Sequence, residues 1–157
     1  MKLSDLISPE NVPVGLRVAD KAAALRTLSA KAAAATGLEA EAILAALQKR
    51  ETLGSTGLGR GFAVPHARIE GLDRFFCLFA RLARPIDFAA IDEQPVDLLC
   101  LLLIPERAGN DHVAALSAIA RQMRPDATLA DIRRAKTAEA VYARLIQDTS
   151  PQPAATT

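Results

Sequence analysis

The stretch Val96-Asp97-Leu98-Leu99-Cys100-Leu101-Leu102-Leu103-Ile104 sets the fold class of this 157-residue chain. Apart from Asp97, both alternating sets of positions are apolar, which is typical of a strand covered on both faces. A second run of this kind, Phe75-Phe76-Cys77-Leu78-Phe79-Ala80, lies upstream. The two runs predict an α/β fold with a mixed central sheet of four or five strands flanked by helices on both faces, an α/β/α sandwich.

The sequence before these runs indicates two helices. Asp20 is a candidate N-cap for an alanine-rich helix that continues to Thr36 and ends at Gly37. A second helix follows directly and is expected to end near Lys49-Arg50, where cations suit the negative end of the helix dipole. Short strands are expected at Val14-Gly15-Leu16 and, beyond the helices, at Phe62-Ala63-Val64.

The sequence after the long runs indicates further helices. Asn110 or Asp111 is a candidate N-cap for a helix that includes His112 in its first turn and places Val113 on its inner face. A short helix is expected at about 128–135, and Thr137 is a candidate N-cap for another. The connection from Arg84 to Pro95 is predicted to be a polar loop.

Composition limits the function classes. Lys and Arg exceed Asp and Glu by only 19 to 18, so the charge balance gives no reason to expect nucleic-acid binding. The longest apolar run, Leu98 to Ile104, is far shorter than the roughly 20 residues of a membrane helix. These features predict a cytoplasmic protein without membrane insertion. One domain is expected over residues 1–147, followed by a disordered tail over 148–157.

Cysteine and histidine usage gives no reason to expect a metal or a disulfide. Cys77 and Cys100 each lie inside an apolar strand-like run, where a thiol behaves as a small hydrophobic group. The chain has two histidines, far apart in sequence, so a closed zinc site would have to recruit carboxylates at unusual spacing. Neither a metal nor another cofactor is predicted.

The chemistry is concentrated in the segment from Arg50 to Arg68. Gly57, Gly59 and Gly61 alternate there, and each raises the entropic cost of ordering the chain. Glycine-rich turns can form nests of amide groups that bind anions, and an arginine such as Arg50 presents a fork suited to phosphate. His66 supplies an imidazole that titrates near neutral pH. Phosphate chemistry beside an imidazole indicates a phosphohistidine.

Other interpretations of this segment are weaker. The glycine spacing fits neither the dinucleotide-binding pattern nor the P-loop. If His66 were an exposed loop residue without a role, the cost of the glycines would be unexplained. Arg50 can also be interpreted as a cation that stabilises the negative end of a helix dipole, and that role is compatible with binding phosphate. His112 by itself is an unexceptional residue in the first turn of a helix, and Arg60 and Arg68 are expected to be solvated.

Two segments carry a family resemblance. Arg50-Glu51 together with Ser55-Thr56-Gly57-Leu58-Gly59-Arg60-Gly61-Phe62-Ala63-Val64-Pro65-His66 resembles the signature of bacterial phosphotransferase-system enzyme IIA domains of the mannitol/fructose type. Asp111-His112-Val113-Ala114-Ala115-Leu116-Ser117-Ala118-Ile119-Ala120 is similar to the segment that bears the family's second active-site histidine. The start, Leu3 to Glu10, is similar to the free-standing, nitrogen-related branch of that family.

The resemblance implies a set of site residues. His66 would attack a phosphohistidine on a small carrier protein resembling HPr and accept its phosphoryl group. His112 would stabilise that group, and Arg50 would stabilise its charge. Further positions are implied to form a phosphoryl-binding loop: Ser55, Thr56, Gly57, Gly59 and Gly61.

The resemblance also implies a role in regulation. The chain would be a phosphoryl carrier of the nitrogen-regulatory IIA type rather than a metabolic enzyme of many turnovers, and its regulatory targets are not encoded visibly. Two alternatives stay open: a sugar-specific IIA component that passes phosphate to a separate IIB, and a regulator that acts only by binding partners. Arg60 departs from the family pattern, which often has a small or polar residue there.

Overall fold

The computed structural model describes residues 1–148, so the predicted tail, except for Asp148, lies outside the described residues. Two short 3₁₀ turns, Leu3–Asp5 and Pro9–Asn11, precede the main elements. The strands and helices then follow in the order β1 Val14–Leu16, α1 Lys21–Thr36, α2 Ala40–Thr52, β2 Gly57–Gly59, β3 Phe62–Ala63, β4 His66–Ile69, β5 Phe76–Ile86, β6 Val96–Pro105, α3 Asp111–Gln122, α4 Asp126–Arg134 and α5 Ala138–Ile146.

The strands form one mixed sheet built on β6. Across residues 1–148 this sheet has six strands in the order β1-β5-β6-β3-β2, and β4 also pairs with β6. β5 runs antiparallel to β6, whereas β3 and β4 run parallel to it. The predicted mixed sheet is confirmed, and it has six strands instead of four or five because the short strands β2 and β4 were not expected.

The two faces of β6 pack against different helices. Leu99 and Leu101 belong to a core shared with α1 and α2, whereas Leu98 and Leu102 belong to a core shared with α3, α4, α5 and the N-terminal turns. All four leucines are fully buried. Because successive strand residues point to opposite faces, the continuous apolar run serves both cores, and the α/β/α sandwich is confirmed.

Helix ends follow the sequence signals closely. Asp20 caps α1 by accepting a hydrogen bond from the Ala23 amide at 2.8 Å, and Gly37 ends the helix with a left-handed φ of 79°. Thr137 caps α5 through the Ala140 amide at 3.0 Å. Asp20 and Thr137 each accept a hydrogen bond from an amide that has no partner within its helix, and Gly37 adopts the left-handed conformation that commonly ends a helix.

Some boundaries differ from the prediction. β5 continues to Ile86, so residues 84–86, expected to begin a polar loop, are part of the sheet. Val113 is 55% exposed rather than on the inner face of α3. Its neighbours Ala115 and Ile119 are buried instead, so the apolar stripe of this helix is narrower than the sequence suggests.

The expected strand ending at Val64 is wrong in its extent. β3 contains only Phe62 and Ala63, and β4 begins at His66. Ala63 lies beside Leu99 and His66 beside Leu102, so the register along β6 is unchanged across the break. Pro65 cannot donate a ladder hydrogen bond, but its carbonyl accepts one from the Leu102 amide at 2.9 Å. His66 therefore starts a second strand instead of following the end of one.

The two cysteines are free and buried in the core beneath α3–α5. Their sulfur atoms lie 3.4 Å apart, and the hydrogen bond with Cys77, together with burial, raises the pKa of the Cys100 thiol well above its usual value. In the part of the chain that the structure describes, no helix is long and apolar enough to cross a membrane.

Candidate active site

A pocket of about 390 Å³ lies where the C-terminal end of α2, the glycine-rich segment, the start of β4 and the first turns of α3 meet. It brings together five of the residues predicted to form the site: Arg50, Ser55, Thr56, His66 and His112. Apolar side chains complete the lining, among them Leu58, Val113 and Leu116. Imidazoles that lie 46 positions apart in the sequence thus share one cavity.

The imidazole of His66 is held at both nitrogens. Nδ1 lies 2.8 Å from the carbonyl oxygen of Val64, and Nε2 lies 3.3 Å from Nε of Arg50. A carbonyl oxygen can only accept and a guanidinium can only donate. The ring is therefore neutral with its proton on Nδ1, and the lone pair is on Nε2, which faces the pocket side occupied by Arg50.

The surroundings of His66 keep it neutral. Burial lowers the pKa of His66 below its ordinary value of 6.5. The hydrogen bond to the Val64 carbonyl opposes this shift, while the charge of Arg50 adds to it. Glu51 pulls the pKa of His66 upward and His112 pulls it downward, both more weakly. An imidazole with a lowered pKa keeps its lone pair at neutral pH and can act as a nucleophile.

Arg50 occupies the last turn of α2 and points back over the loop that follows. Its Nη1 donates to the carbonyl oxygen of Gly54 at 2.9 Å, while its Nε reaches His66. The side chain is half-buried. This arrangement holds a guanidinium beside Nε2 of His66, where it can pair with an anion.

Ser55 and Thr56 line the pocket, but their hydroxyls already have partners. The Ser55 hydroxyl donates to the carbonyl oxygen of Phe88 at 2.8 Å and accepts from the Gly57 amide at 3.1 Å. The Thr56 hydroxyl donates to the carboxylate of Glu51. Both hydroxyls hold the loop in place, and in this structure neither has its proton free for a phosphoryl group.

Glu51 supports the loop that lines the pocket, and the sequence did not predict this role. Its side chain is only 7% exposed, and its carboxylate accepts from the amide of Thr56 at 3.0 Å as well as from the Thr56 hydroxyl. Lys21 lies 3.7 Å from the same carboxylate. In the sequence, Glu51 was noted only because it follows Arg50 at the end of a helix. That position indicated a family motif but no role for the carboxylate.

The three alternating glycines do not line the pocket. Gly57 lies so close to Ala90 that a Cβ would be 2.8 Å from two of its atoms, and a Cβ on Gly61 would be 2.4 Å from Nη2 of Arg133. They build the β2–β3 hairpin, in which Gly59 and Gly61 have positive φ. The amides of Thr56 and Gly57 bond to side chains of their own loop. The expected nest of free amides is therefore not present at these two positions.

The second histidine contacts the loop before α3. Nδ1 of His112 lies 2.9 Å from the carbonyl oxygen of Gly109 and 3.0 Å from Nη2 of Arg68. His112 is half-buried and lines the pocket in the first turn of α3, where the positive end of the helix attracts anions. Arg68 is exposed to solvent, as expected, and it also contacts a predicted site residue.

The side chain of Arg60 is 44% exposed, as expected for a solvated residue, but its guanidinium also has partners in the protein. Its guanidinium donates to the carbonyl oxygens of Met123 at 3.0 Å and Arg124 at 2.8 Å, and it pairs with Asp126 at 3.1 Å. Its φ of 59° places it at the tip of the hairpin. Arg60 therefore ties the hairpin to the C-terminal end of α3.

Apolar side chains are exposed around the mouth of the pocket. Leu58 is 54% exposed and Val113 is 55% exposed, and both line the cavity. Phe62, which belongs to the same motif as Leu58, is 1% exposed and belongs to the core. We call Leu58 and Val113 the apolar rim of the site.

These features agree with the comparisons with known proteins. A family model described as phosphoenolpyruvate-dependent sugar phosphotransferase system, EIIA 2, matches residues 5–148. The match covers nearly all of the described residues, including both histidines. The chain belongs to this EIIA family.

Within that family the chain is most like proteins of one branch. It is 46% identical over 145 residues to the nitrogen regulatory protein of Bradyrhizobium diazoefficiens, covering 92% of this chain and 95% of the relative. It is 34% identical over 154 residues to the nitrogen regulatory protein of Escherichia coli, covering 98% and 94%. The crystal structure of nitrogen regulatory protein IIA-Ntr from Neisseria meningitidis superposes with a TM-score of 0.86 at 29% identity, covering 91% and 98%.

Proposed function

We propose that this chain is a phosphoryl carrier of the nitrogen-regulatory IIA type and that Nε2 of His66 is the atom that carries the phosphoryl group. The observation that supports this most directly is the hydrogen bond between Nδ1 and the Val64 carbonyl at 2.8 Å. It places the ring proton away from the pocket and leaves the Nε2 lone pair available. The family and its nitrogen regulatory relatives support the same function.

The transfer needs no metal or cofactor in this proposal. The lone pair of Nε2 forms a new P–N bond while the P–N bond of the donor phosphohistidine breaks, and the donor nitrogen takes the electron pair. Nδ1 of His66 keeps its proton throughout, because the Val64 carbonyl holds it. The transferred group is largely metaphosphate-like, so the protein contributes position and charge rather than covalent chemistry.

Arg50 has a different role before and after transfer. In the resting site its Nε donates toward the nucleophilic lone pair at 3.3 Å, so this weak hydrogen bond must break when the phosphoryl group arrives. The guanidinium then lies beside the phosphoryl oxygens and pairs with them as a charged fork. His112 approaches the same group from the first turn of α3 and donates a second hydrogen bond.

The proposed donor is a small protein that carries a phosphohistidine and resembles HPr. A relay encounter of this kind is transient, so an interface of about 1,200 Å² or less is expected. The apolar rim of Leu58 and Val113 lies around the pocket mouth, where a donor must dock. A role in nitrogen regulation is supported by the similarity to the nitrogen regulatory proteins of Bradyrhizobium diazoefficiens and Escherichia coli.

The function is tested by incubating the chain with a phosphorylated HPr-like protein and measuring its mass. We expect an acid-labile gain of one phosphoryl group that is absent from His66→Ala and present, with slower formation, in His112→Ala. Circular dichroism checks that both variants fold. No gain in the wild-type chain, or a gain that persists in His66→Ala, contradicts the carrier function and leaves a regulator that acts only by binding.

A further inference from the structure

Arg68 lies outside the lining of the pocket and contacts its second histidine from behind. Nη2 of Arg68 is 2.7 Å from the carbonyl oxygen of Gly109 and 3.0 Å from Nδ1 of His112. Nη1 of the same side chain donates to the carbonyl oxygen of Glu106 at 3.3 Å. The guanidinium thus spans the loop that precedes α3 and ends against the imidazole.

The two neighbours of His112 Nδ1 require opposite tautomers. The Gly109 carbonyl, 2.9 Å away, can accept a proton from Nδ1, whereas Arg68 can only donate one. Hydrogen bonds from a charged donor are roughly twice as strong as those between neutral groups. The charged donor therefore favours Nδ1 as the acceptor and leaves the ring proton on Nε2.

We infer that Arg68 is a positioning residue that fixes the tautomer of His112, so that its Nε2–H is available as a donor to a phosphoryl group on His66. For this consequence, though not for the tautomer itself, the inference rests on the proposed function. Phosphoryl oxygens are acceptors, so they attract an N–H group and repel a nitrogen lone pair.

The two imidazoles would then be held in opposite tautomers by different groups. His66 carries its proton on Nδ1 because a backbone carbonyl lies 2.8 Å away, whereas His112 carries its proton on Nε2 because a guanidinium lies against its Nδ1. One ring presents a lone pair to the pocket and the other presents a donor. This division suits a nucleophile and a stabilising group that share one cavity.

The tautomers are measured by ¹⁵N NMR of the imidazole nitrogens at a pH where both rings are neutral. The chain has only two histidines, so the signals are easily assigned. We expect a pyridine-like Nδ1 for His112 in the wild type and in Arg68→Lys, and a shift toward a protonated Nδ1 in Arg68→Met. Arg107→Met removes an exposed guanidinium from the same loop and should leave the tautomer unchanged.

The inference is overturned if Nδ1 of His112 is protonated in the wild type, or if Arg68→Met does not change it. The His66 signals in each variant report whether the pocket is otherwise intact. This readout needs no phosphoryl donor, so it stands even if the wild-type chain accepts no phosphoryl group. A wild-type chain that accepts no phosphoryl group contradicts the proposed function but not the tautomer assignment.

Transfer kinetics provide the functional half of the test. Losing a hydrogen bond to a charged group should slow phosphoryl transfer in Arg68→Met about tenfold or more, as in His112→Ala. Because Arg68 acts through His112, the double variant should be no slower than the slower single variant. This role is contradicted if the double variant slows transfer by the product of the two single effects, or if Arg68→Met transfers at the wild-type rate.

Discussion

The chemistry of His66 is set by the two groups on either side of its ring. The Val64 carbonyl, only two residues earlier, binds Nδ1, and Arg50 from a separate helix faces Nε2. Pro65 lies between Val64 and His66 and stiffens this link, because its φ is fixed. As the proposed nucleophile, His66 therefore needs little reordering before attack, which lowers the entropic cost of the proposed transfer.

The first prediction concerns the pH dependence of transfer. Only neutral His66 has a lone pair on Nε2, and burial lowers the pKa of this residue below 6.5. The transfer rate should therefore fall at low pH, as the ring becomes protonated, with a midpoint below pH 6.5. Single-turnover rates across pH, with a donor whose own titration is measured separately, test this. A midpoint at or above pH 6.5 contradicts the lowered pKa.

The second prediction concerns Arg50→Gln. Removing the guanidinium should slow transfer about tenfold or more, because a hydrogen bond to a charged group contributes roughly 1.5–3 kcal/mol. It should also raise the pKa of His66, since the charge of Arg50 lowers it, and so move the acid limb of the rate profile to higher pH. NMR titration of His66 measures the pKa directly.

Lys49→Gln is the matched control for Arg50→Gln. Lys49 is exposed and lies one residue earlier on the same helix, so its removal changes the net charge equally. It should alter neither the rate nor the pKa of His66 by a comparable amount. Equal effects from both variants would mean that the general charge of this surface matters and that the position of Arg50 does not.

Among the secondary-structure elements, those with local signals were predictable. α1 begins after Asp20 and ends at Gly37 because a capping side chain and a left-handed glycine are both encoded locally. β4 was not predicted, because its pairing depends on β6 and not on its own short sequence. Val113 was expected on the inner face because the periodicity of a helix predicts which of its sides is apolar. The periodicity does not predict how much of that side the neighbouring elements cover.

The third prediction concerns the β2–β3 hairpin. Gly61 and Gly15 have nearly equal positive φ values of 76° and 74°, but only Gly61 has close neighbours: a Cβ there would lie 2.4 Å from Arg133 Nη2 and 2.9 Å from Asp97 Oδ1. Both alanine variants carry similar strain from a positive φ, so Gly61→Ala should destabilise more by about 0.5–1 kcal/mol, because Arg133 must move away from Asp97 in a partly exposed pair. Urea unfolding measures both, and equal losses contradict the crowding at Gly61.

The fourth prediction concerns the end of α2. Arg50 and Glu51 are adjacent there and shift the pKa of His66 in opposite directions. Glu51→Gln should therefore lower the pKa of His66 further, the reverse of Arg50→Gln. It should also cost about 1–3 kcal/mol of unfolding free energy, because a charged partner is lost beside Lys21 in a mostly buried site. NMR titration and urea unfolding measure the two effects.

Glu41→Gln, at an exposed position in the first turn of α2, is the control for Glu51→Gln. It removes the same charge from the same helix and should leave the pKa of His66 unchanged. A rise in the pKa of His66 in Glu51→Gln would contradict the assignment of Glu51 as an electrostatic counterpart to Arg50.

In the molecule as a whole, the site draws on all three layers. Arg50 comes from α2 on one face of the sheet, His112 from α3 on the other face, and His66 from the sheet itself. The sequence predicted these three residues from residue types and a family resemblance. It could not predict Glu51 or Arg68 as their supports, because those contacts exist only once the layers are packed together.

The last prediction concerns the surface where a donor would dock. Leu58 comes from the hairpin and Val113 from α3, and both are more than half exposed at the pocket mouth. Leu58→Asn and Val113→Asn should each raise the KM for a phosphohistidine donor about fivefold or more, as expected for truncation of a central interface residue. The rate at saturating donor should change little, since neither side chain reaches His66 through a hydrogen bond. Ile146→Asn, at an exposed apolar position beside a different cavity, should leave KM unchanged. If all three variants behave alike, or if only the saturated rate falls, the apolar rim is not where the donor binds.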